Sequence, residues 1–178
     1  MILTHDNEYC VVLDACVLMP MPICDTLLRF AEEPAFFCIF WSQQILEEVR
    51  RGLQGARFGY TQEQINRRLA AMEQAFPEAC VNIPDGLIDG IKDLPDPNDR
   101  HVVATAICSH SNAIITENLK HFPAQVLSQH RILIQSADEF LIHQFHLNQQ
   151  LVLDKLDTQA AAIKKRRADL LELLAKLV

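Results

Sequence analysis

The chain has 178 residues, of which 49% are hydrophobic and 22% are charged, and it contains five glycines. This composition is typical of a globular protein with one sizeable core, and it excludes a chain dominated by disorder. The net charge of −7 argues against a protein that coats nucleic acid through bulk electrostatics.

Two further classes are excluded by the pattern of the residues. The sequence shows no signal peptide and no membrane span, so we expect a cytoplasmic protein without a membrane partner. The six cysteines include no CxxC spacing and several lie inside apolar runs, which favours reduced, buried thiols over a zinc site or a disulfide framework.

The first half of the chain alternates short apolar runs with amphipathic segments. "YCVVLDACVLM" begins as a buried strand that ends at Asp14, and "PICDTLLRFAEE" is a helix stopped by Pro34. "FFCIFWS" predicts a second strand whose Ser42 caps the helix "QQILEEVRRGL". Thr61 and Gln64 form a capping box for the next helix, and "ACVNIP" is a weak third strand.

The second half continues the alternation. A helix is predicted from Pro97, followed by the strands "NAIIT" and "RILIQ". Ser136 and Glu139 form a second capping box, and the chain is helical and charged from about Leu151. The pattern predicts an α/β fold with a mostly parallel central sheet and a helical C-terminal extension. We place a first domain at residues 1–136 and the extension at residues 137–178.

Acidic side chains follow this pattern at one edge of the sheet. Asp14 follows the first strand, Thr116 and Asn118 follow the fourth, and Asp99 opens the helix that leads into the fourth. Ligands gather at the carboxyl ends of parallel strands, so we expect these residues to lie close together.

The stretch "LPDPNDRHVVATA" places two carboxylates at the start of that helix. Asp96 is well placed as the N-cap residue before Pro97, although a metal-binding role is equally consistent with the sequence. Asp99 instead lies near the centre of the stripe formed by Val102 and Val103 with the alanine and isoleucine that follow. A carboxylate directed at the core needs a partner or a cation.

Glu48 is the fourth acid of the predicted site. It lies near the apolar border of its helix, whereas Glu47 is expected to face solvent. Carboxylates that converge raise one another's pKa unless a cation neutralises them, and oxygen ligands favour Mg²⁺ or Mn²⁺. We therefore expect Asp14, Asp99 and Glu48 to bind a divalent metal ion, which serves phosphodiester hydrolysis.

A basic cluster lies between the second strand and the third. Residues 50–68 hold five arginines against one glutamate. This segment is either an ordinary solvent-exposed face or a surface that binds phosphate groups. The arginines predicted to contact substrate are Arg50, Arg51, Arg67 and Arg68.

The segments "VVLDACVL", "WSQQILEEV", "LPDPNDRHVVATAI" and "IITENLKHFP" resemble, in their order and spacing, the PIN domain family. They look most like the VapC-type ribonuclease toxins of bacterial toxin–antitoxin pairs, and the resemblance covers about residues 9 to 142. It implies a three-layer α/β/α fold, Mg²⁺ or Mn²⁺ dependence, endoribonuclease activity on RNA, and a cognate antitoxin that blocks the site.

The resemblance also assigns roles to individual residues. Asp14, Glu48 and Asp99 match the family's first three acids, and Asp96 belongs to a "DPND" variant of the third motif. Thr116 matches the hydroxyl that orients this region. The remaining position is Asn118, which stands where many members have a fourth aspartate; this departure weakens a second metal site.

Three other protein classes share part of this pattern. A haloacid dehalogenase needs an aspartate where Cys16 stands, and a response-regulator receiver needs a better spaced lysine than Lys120. A PIN-like module that binds RNA or protein without catalysis is the serious alternative, and Asn118 supports it. The histidines, including His101 and His121, are interpreted as ordinary surface or satisfied side chains, and Trp41 as a core residue.

The tail has an amphipathic pattern of its own. Its apolar stripe either packs on the core or forms a surface for the antitoxin or for a second copy of the chain, giving a homodimer. The stripe comprises Leu156, Ala160, Ile163, Leu170, Leu174 and Leu177, and a basic patch comprises Lys164, Lys165, Arg166 and Arg167.

Overall fold

A computed structural model describes residues 9–175, with side chains through residue 164. Its sheet has five parallel strands in the order β3-β2-β1-β4-β5. The strands are Cys10–Leu13 (β1), Cys38–Ser42 (β2), Cys80–Val81 (β3), Ala113–Ile115 (β4) and Leu133–Gln135 (β5). Helices flank this sheet, so the predicted three-layer α/β/α fold is confirmed.

The helices in the described part of the chain include every one that the sequence predicted. The sequence did not predict the short helices Ala15–Leu18, Leu87–Gly90 and Ala124–Ser128, or the 3₁₀ turns at Pro97–Asp99 and Leu119–His121. The helices are Ala15–Leu18 (α1), Met21–Ala31 (α2), Gln43–Gln54 (α3), Gln62–Ala75 (α4), Leu87–Gly90 (α5), Arg100–Cys108 (α6), Ala124–Ser128 (α7), Ala137–Leu147 (α8) and Gln149–Ala175 (α9).

Local hydrogen bonds explain where the longer helices begin. The Ser42 hydroxyl accepts from the amide of Ile45, and the capping boxes of Thr61 and Ser136 are both formed. Each satisfies backbone N–H groups that the first helical turn leaves without a partner. The three predicted caps are therefore confirmed.

The core lies around the central strands. Every residue of Val11–Leu13 in β1 and of β4 is fully buried, as expected for strands covered on both faces, whereas Leu133 at the edge strand β5 is exposed. Trp41 in β2 is fully buried, which confirms its assignment to the core. No disulfide joins the six cysteines, although Cys80 is exposed rather than buried.

The strand order creates a switch point between β1 and β4. The chain runs outward from β1 through β2 to β3 and then returns to the other side of β1 as β4 and β5. Loops at the carboxyl ends of β1 and β4 consequently diverge in opposite directions and leave a crevice between them. Asp14 and Thr116 are the first residues after these two strands.

The C-terminal helix α9 packs on α2 through a face that differs from the predicted one. Val152 and Gln159 are buried, and the Lys155 ammonium donates to the backbone carbonyls of Arg29 and Glu32. The predicted stripe was wrong as a core face: among its described side chains Leu156 is 39% exposed and Ile163 57% exposed. Polar contacts to the end of α2 orient this helix. A hydropathy pattern cannot predict such contacts, which is why the predicted face differs from the buried one. Leu170, Leu174, Leu177, Lys165, Arg166 and Arg167 lie outside the residues whose side chains are described.

Among the residues that the structure describes, no helix is both long and apolar enough to cross a membrane.

Candidate active site

A buried carboxylate marks the end of β1. Asp14 is only 4% exposed, and its Oδ2 accepts hydrogen bonds from the Thr116 hydroxyl (2.6 Å) and the Cys16 thiol (3.1 Å). Thr116 in turn accepts from the backbone amide of Asn118 at 3.0 Å. These bonds connect the carboxyl ends of β1 and β4. They leave the second oxygen of Asp14, Oδ1, without a hydrogen-bond donor among the described residues.

The Cys16 thiol is part of this network and is held in its neutral form. Burial and the adjacent Asp14 charge raise the pKa of Cys16 to about 12, outweighing the opposing contacts from Thr116 and the amide of Glu117. A thiol with this pKa stays protonated at neutral pH, so it can continue to donate to the carboxylate. Cys16 therefore stabilises a fixed orientation of Asp14.

A second group of ligand atoms lies at the start of α6. Asp99 is 17% exposed and its Oδ2 lies 2.8 Å from Nδ1 of His121, which follows β4 in a 3₁₀ turn. Since an ionised carboxylate can only accept, Nδ1 of His121 donates here, and Nε2 remains available for another partner. His121 thus supplies the partner that Asp99 requires. It is a histidine satisfied by a hydrogen bond, as the sequence had suggested, but its partner was not predicted.

Asp96 joins Asp99 and His121. Among the described residues, these three form the one group of three or more His, Cys, Asp or Glu side chains whose ligand atoms all lie within 4.8 Å of one another. Asp96 also accepts from the backbone amide of Asn98 at 2.9 Å, so its role as the cap of the 3₁₀ turn is confirmed. Capping and membership of the cluster coexist because one carboxylate can accept several hydrogen bonds.

Glu48 contributes from a different helix. It is 27% exposed, and its Oε2 lies 3.5 Å from Nε2 of His101, whereas Glu47 is 58% exposed, as predicted. His101 is buried and its Nδ1 donates to the carbonyl of Asn98 at 2.6 Å. Nε2 of His101 is buried without a hydrogen bond of good geometry. His101 therefore belongs to the site, which its interpretation as an ordinary histidine did not anticipate.

The charges of these groups act on one another. Burial raises the pKa of Asp99, the negative charges of Asp14 and Asp96 raise it further, and the contact with His121 only partly opposes them. Burial by itself lowers the pKa of His101, but Glu48, the Asn98 carbonyl and Asp14 together outweigh burial and raise it. Asp14 acts on both groups, so the carboxylates that follow β1, lie midway along α3 and precede α6 share one electrostatic environment.

The donor set fits a divalent cation. Asp14 keeps Oδ1 free of donors, and burial, together with the smaller contributions of the Asp14 and Asp96 charges, raises the pKa of Asp99. Carboxylate oxygens favour Mg²⁺ or Mn²⁺, and an imidazole nitrogen is also a ligand for transition metals. Asn118 at the predicted fourth position is exposed and makes no side-chain cap, so its side chain adds nothing to the cluster in this structure.

The four predicted arginines have different surroundings. Arg51 lines a groove of about 610 Å³ that also contains Glu48 and His101. Arg68 donates to the backbone carbonyls of Leu18 and Met19, which stabilises the packing of α4 on α1. The other two arginines pair with a glutamate one turn earlier on their own helices, Arg50 with Glu47 and Arg67 with Glu63.

Comparisons with known proteins agree with this geometry. The model of the PIN domain family matches residues 10–120 of the chain. The chain is also 40% identical over 52 residues to VapC50 of Mycobacterium tuberculosis, a protein assigned as a ribonuclease. That match covers 29% of this chain and 31% of the relative, so the chain spans about a third of the relative's length. No solved structure gives a significant match to the chain.

Proposed function

The chain belongs to the PIN domain family, and from that premise we propose that it is a divalent-metal-dependent endoribonuclease. It hydrolyses RNA phosphodiesters with a carboxylate-held Mg²⁺ or Mn²⁺ ion, as the toxin of a type II toxin–antitoxin pair in the cytoplasm. The match to VapC50, a relative assigned as a ribonuclease, supports the choice of RNA as substrate.

One observation carries this proposal: carboxylates from separate elements lie near the switch point of a parallel sheet, where Asp14 raises the pKa of Asp99, although Asp14 and Glu48 fall outside the close group of Asp96, Asp99 and His121. Asp14 is buried there with Oδ1 unused, and the pKa of Asp99 is raised by burial and by its acidic neighbours. Such a group is costly to a folded protein unless it binds a cation.

Each residue has a separate role in the proposal. Asp14 and Asp99 hold the ion, with Glu48 close by or acting through a bound water, and Asp96 is an accessory ligand. Thr116 is a positioning residue, because its hydroxyl holds the Oδ2 atom of Asp14. When bound, the ion activates water and offsets charge on the scissile phosphate.

Arg51 is the arginine whose position best supports a phosphate contact, since it lines the same groove as Glu48. Contacts from Arg50, Arg67 and Arg68 remain predictions. The boundary between a PIN domain at 1–136 and an extension at 137–178 also remains a prediction, because the family model ends at residue 120.

We place the partner surface on the exposed stripe of α9. Leu156 and Ile163 are exposed beside the face of the helix that packs on α2. An antitoxin, or a second copy of the chain in a homodimer, would cover these apolar side chains.

The alternative is a catalytically inactive PIN-like module that binds RNA or protein. Asn118 in place of a fourth acid favours it, since a carboxamide carries no charge for a second cation. The ordered contacts around Asp14 oppose it, because Thr116 and Cys16 maintain a buried carboxylate that binding alone does not require.

Calorimetric titration with Mn²⁺ tests the metal centre directly. We expect the parent protein to bind Mn²⁺. Asp14→Asn and Asp99→Asn should each weaken that binding strongly. Asp85→Asn is the matched control, because Asp85 is exposed in a turn and belongs to neither the ligand cluster nor the groove beside α3. Equal affinity in all three variants and the parent would contradict the assignment of Asp14 and Asp99 as ligands.

RNA cleavage tests the activity. The protein with Mn²⁺ should cut RNA internally and leave 5′-phosphate and 3′-hydroxyl ends, EDTA should stop the reaction, and Asp14→Asn should lose it while remaining folded. Mn²⁺ binding without cleavage of any RNA would favour the inactive module. Cleavage that persists in EDTA would point to a different chemistry.

A further inference from the structure

Two cysteines occupy directly opposite positions on neighbouring strands of the sheet. Cys10 begins β1 and Cys38 begins β2, and the parallel register pairs these two residues with each other. The third cysteine in a strand, Cys80, lies opposite Trp41 instead. The pair lies apart from the candidate active site, because Asp14 follows the other end of β1, about 13 Å away along the strand.

The backbone holds the two cysteines at the spacing of a disulfide. Adjacent strands lie about 4.7–4.9 Å apart, and the Cα atoms of a disulfide are usually about 4.4–6.8 Å apart. Side chains of directly paired residues leave the sheet on the same face, so both thiols lie on one side of it. Little movement of the main chain is therefore needed to join the two sulfur atoms.

Hydrogen bonds on both sides fix Cys10 in this register. Its amide donates to Oδ1 of Asn112 at 2.8 Å, and its carbonyl accepts from the Asn112 amide at 2.7 Å. On the other side, the amide of Cys38 donates to the carbonyl of Tyr9 at 2.9 Å. The two cysteines are consequently held next to each other by β2 and by the residue that precedes β4.

The two thiols interact and are reachable from solvent. Burial raises the pKa of Cys10, and the neighbouring Cys38 thiol, which forms a hydrogen bond with it, raises it further. Both residues are half-buried, whereas Cys24 is buried in the core. A small oxidant can therefore reach the pair, although the raised pKa of Cys10 makes attack by this thiol slow at neutral pH.

We propose that Cys10 and Cys38 form a reversible disulfide that links β1 to β2. The oxidant is a small-molecule disulfide such as oxidised glutathione. One cysteine thiolate attacks a sulfur atom of the oxidant and releases one glutathione as a thiol. The second cysteine attacks the resulting mixed disulfide and releases the other glutathione, so two electrons and two protons pass from the protein to the two glutathione molecules. Excess thiol reverses both steps.

The link stabilises the folded chain and does not depend on the proposed RNase function. It closes the segment of chain that contains α1 and α2. A closed loop restricts the unfolded chain more than the folded one. We therefore expect the oxidised protein to unfold at a higher urea concentration than the reduced protein.

The test uses the full chain with Cys80→Ser, because the exposed Cys80 would otherwise form disulfides between molecules. The protein is incubated with oxidised glutathione at about pH 8.5, where more thiolate is present. Remaining thiols are blocked with iodoacetamide, and the protein is digested without reduction. We expect two thiols per chain to be lost, and mass spectrometry to find a pair of peptides joined through Cys10 and Cys38. Dithiothreitol should restore both thiols and the urea midpoint of the reduced protein.

Variants in the same background assign the link to this pair. Cys10→Ser and Cys38→Ser should each abolish the joined peptides and the rise in urea midpoint. Cys108→Ser is the matched control and should keep both, because Cys108 is also half-buried but lies at the end of α6. The peptide map of the Cys80→Ser protein decides the proposal if one of these variants fails to fold.

The outcomes are distinct. Glutathione attached separately to Cys10 and Cys38, or an unchanged number of thiols, would overturn the disulfide. Joined peptides from any other two cysteines would overturn the choice of this pair. A link between Cys10 and Cys38 that leaves the urea midpoint unchanged would overturn its stabilising effect.

Discussion

Thr116→Val isolates the hydrogen bond that positions Asp14. Valine has nearly the shape of threonine, so the change removes the hydroxyl with little effect on packing in β4 and its following residue. The lost bond is short, at 2.6 Å, and both partners are buried. Asp14 would keep the Cys16 thiol, a weaker donor, and the backbone amide of Asn118 would lose its acceptor.

The size of the effect follows from these contacts. A hydrogen bond to a charged group contributes about 1.5–3 kcal/mol, and a neutral one about 0.5–1.5 kcal/mol. We therefore expect Thr116→Val to lower the free energy of unfolding by about 2–4.5 kcal/mol in the absence of metal. For a domain of this size the corresponding fall in Tm is roughly 4–18 °C.

Urea denaturation in EDTA measures this change, and Thr105→Val is the matched control. Thr105 is also fully buried, but its hydroxyl donates to the neutral backbone carbonyl of His101 at 2.7 Å. We expect the control to lose about 0.5–1.5 kcal/mol. In an Asp14→Asn background the cost of Thr116→Val should fall to that of two neutral hydrogen bonds, about 1–3 kcal/mol, because the charge is gone. Equal losses for Thr116→Val and Thr105→Val in the parent would refute the reasoning.

Three further predictions concern other parts of the molecule. The pKa of Asp99 is higher in the folded protein than in the unfolded chain, so the folded protein binds this proton more tightly. The resulting contribution to stability is complete below about pH 3.8 and is lost as the pH rises through the pKa of the folded protein. Asp99→Asn should therefore increase stability in EDTA near neutral pH, and this gain should shrink in urea titrations toward pH 4; an unchanged gain would contradict it. The pKa of about 12 for Cys16 predicts slow alkylation by iodoacetamide at neutral pH, with exposed Cys80 reacting first by mass spectrometry; equal rates would exclude a protonated Cys16. Truncation after Asn148 removes the contacts of α9 with α2 and should lower the urea midpoint, whereas an unchanged midpoint would contradict a stabilising role for α9.

Much of the fold could be predicted from the sequence because its signals are local. Helix caps such as Ser42 and Thr61 act over three residues, and the apolar run before Asp14 contains the whole of β1. Short helices such as α1 and α7 were not predicted, because one turn of helix shows too little periodicity to be distinguished from a loop.

The sequence by itself determined which acids follow the strands, since the end of a strand is a local property and parallel strands end at one edge. Only the tertiary structure decided their partners. His121 reaches Asp99 across 22 positions of the chain, and Glu48 reaches His101 from another helix. Such contacts depend on how elements pack and on the directions of their side chains, which periodicity does not specify. The face of α9 that is buried was decided in the same way, by the Lys155 hydrogen bonds to the end of α2 rather than by hydropathy.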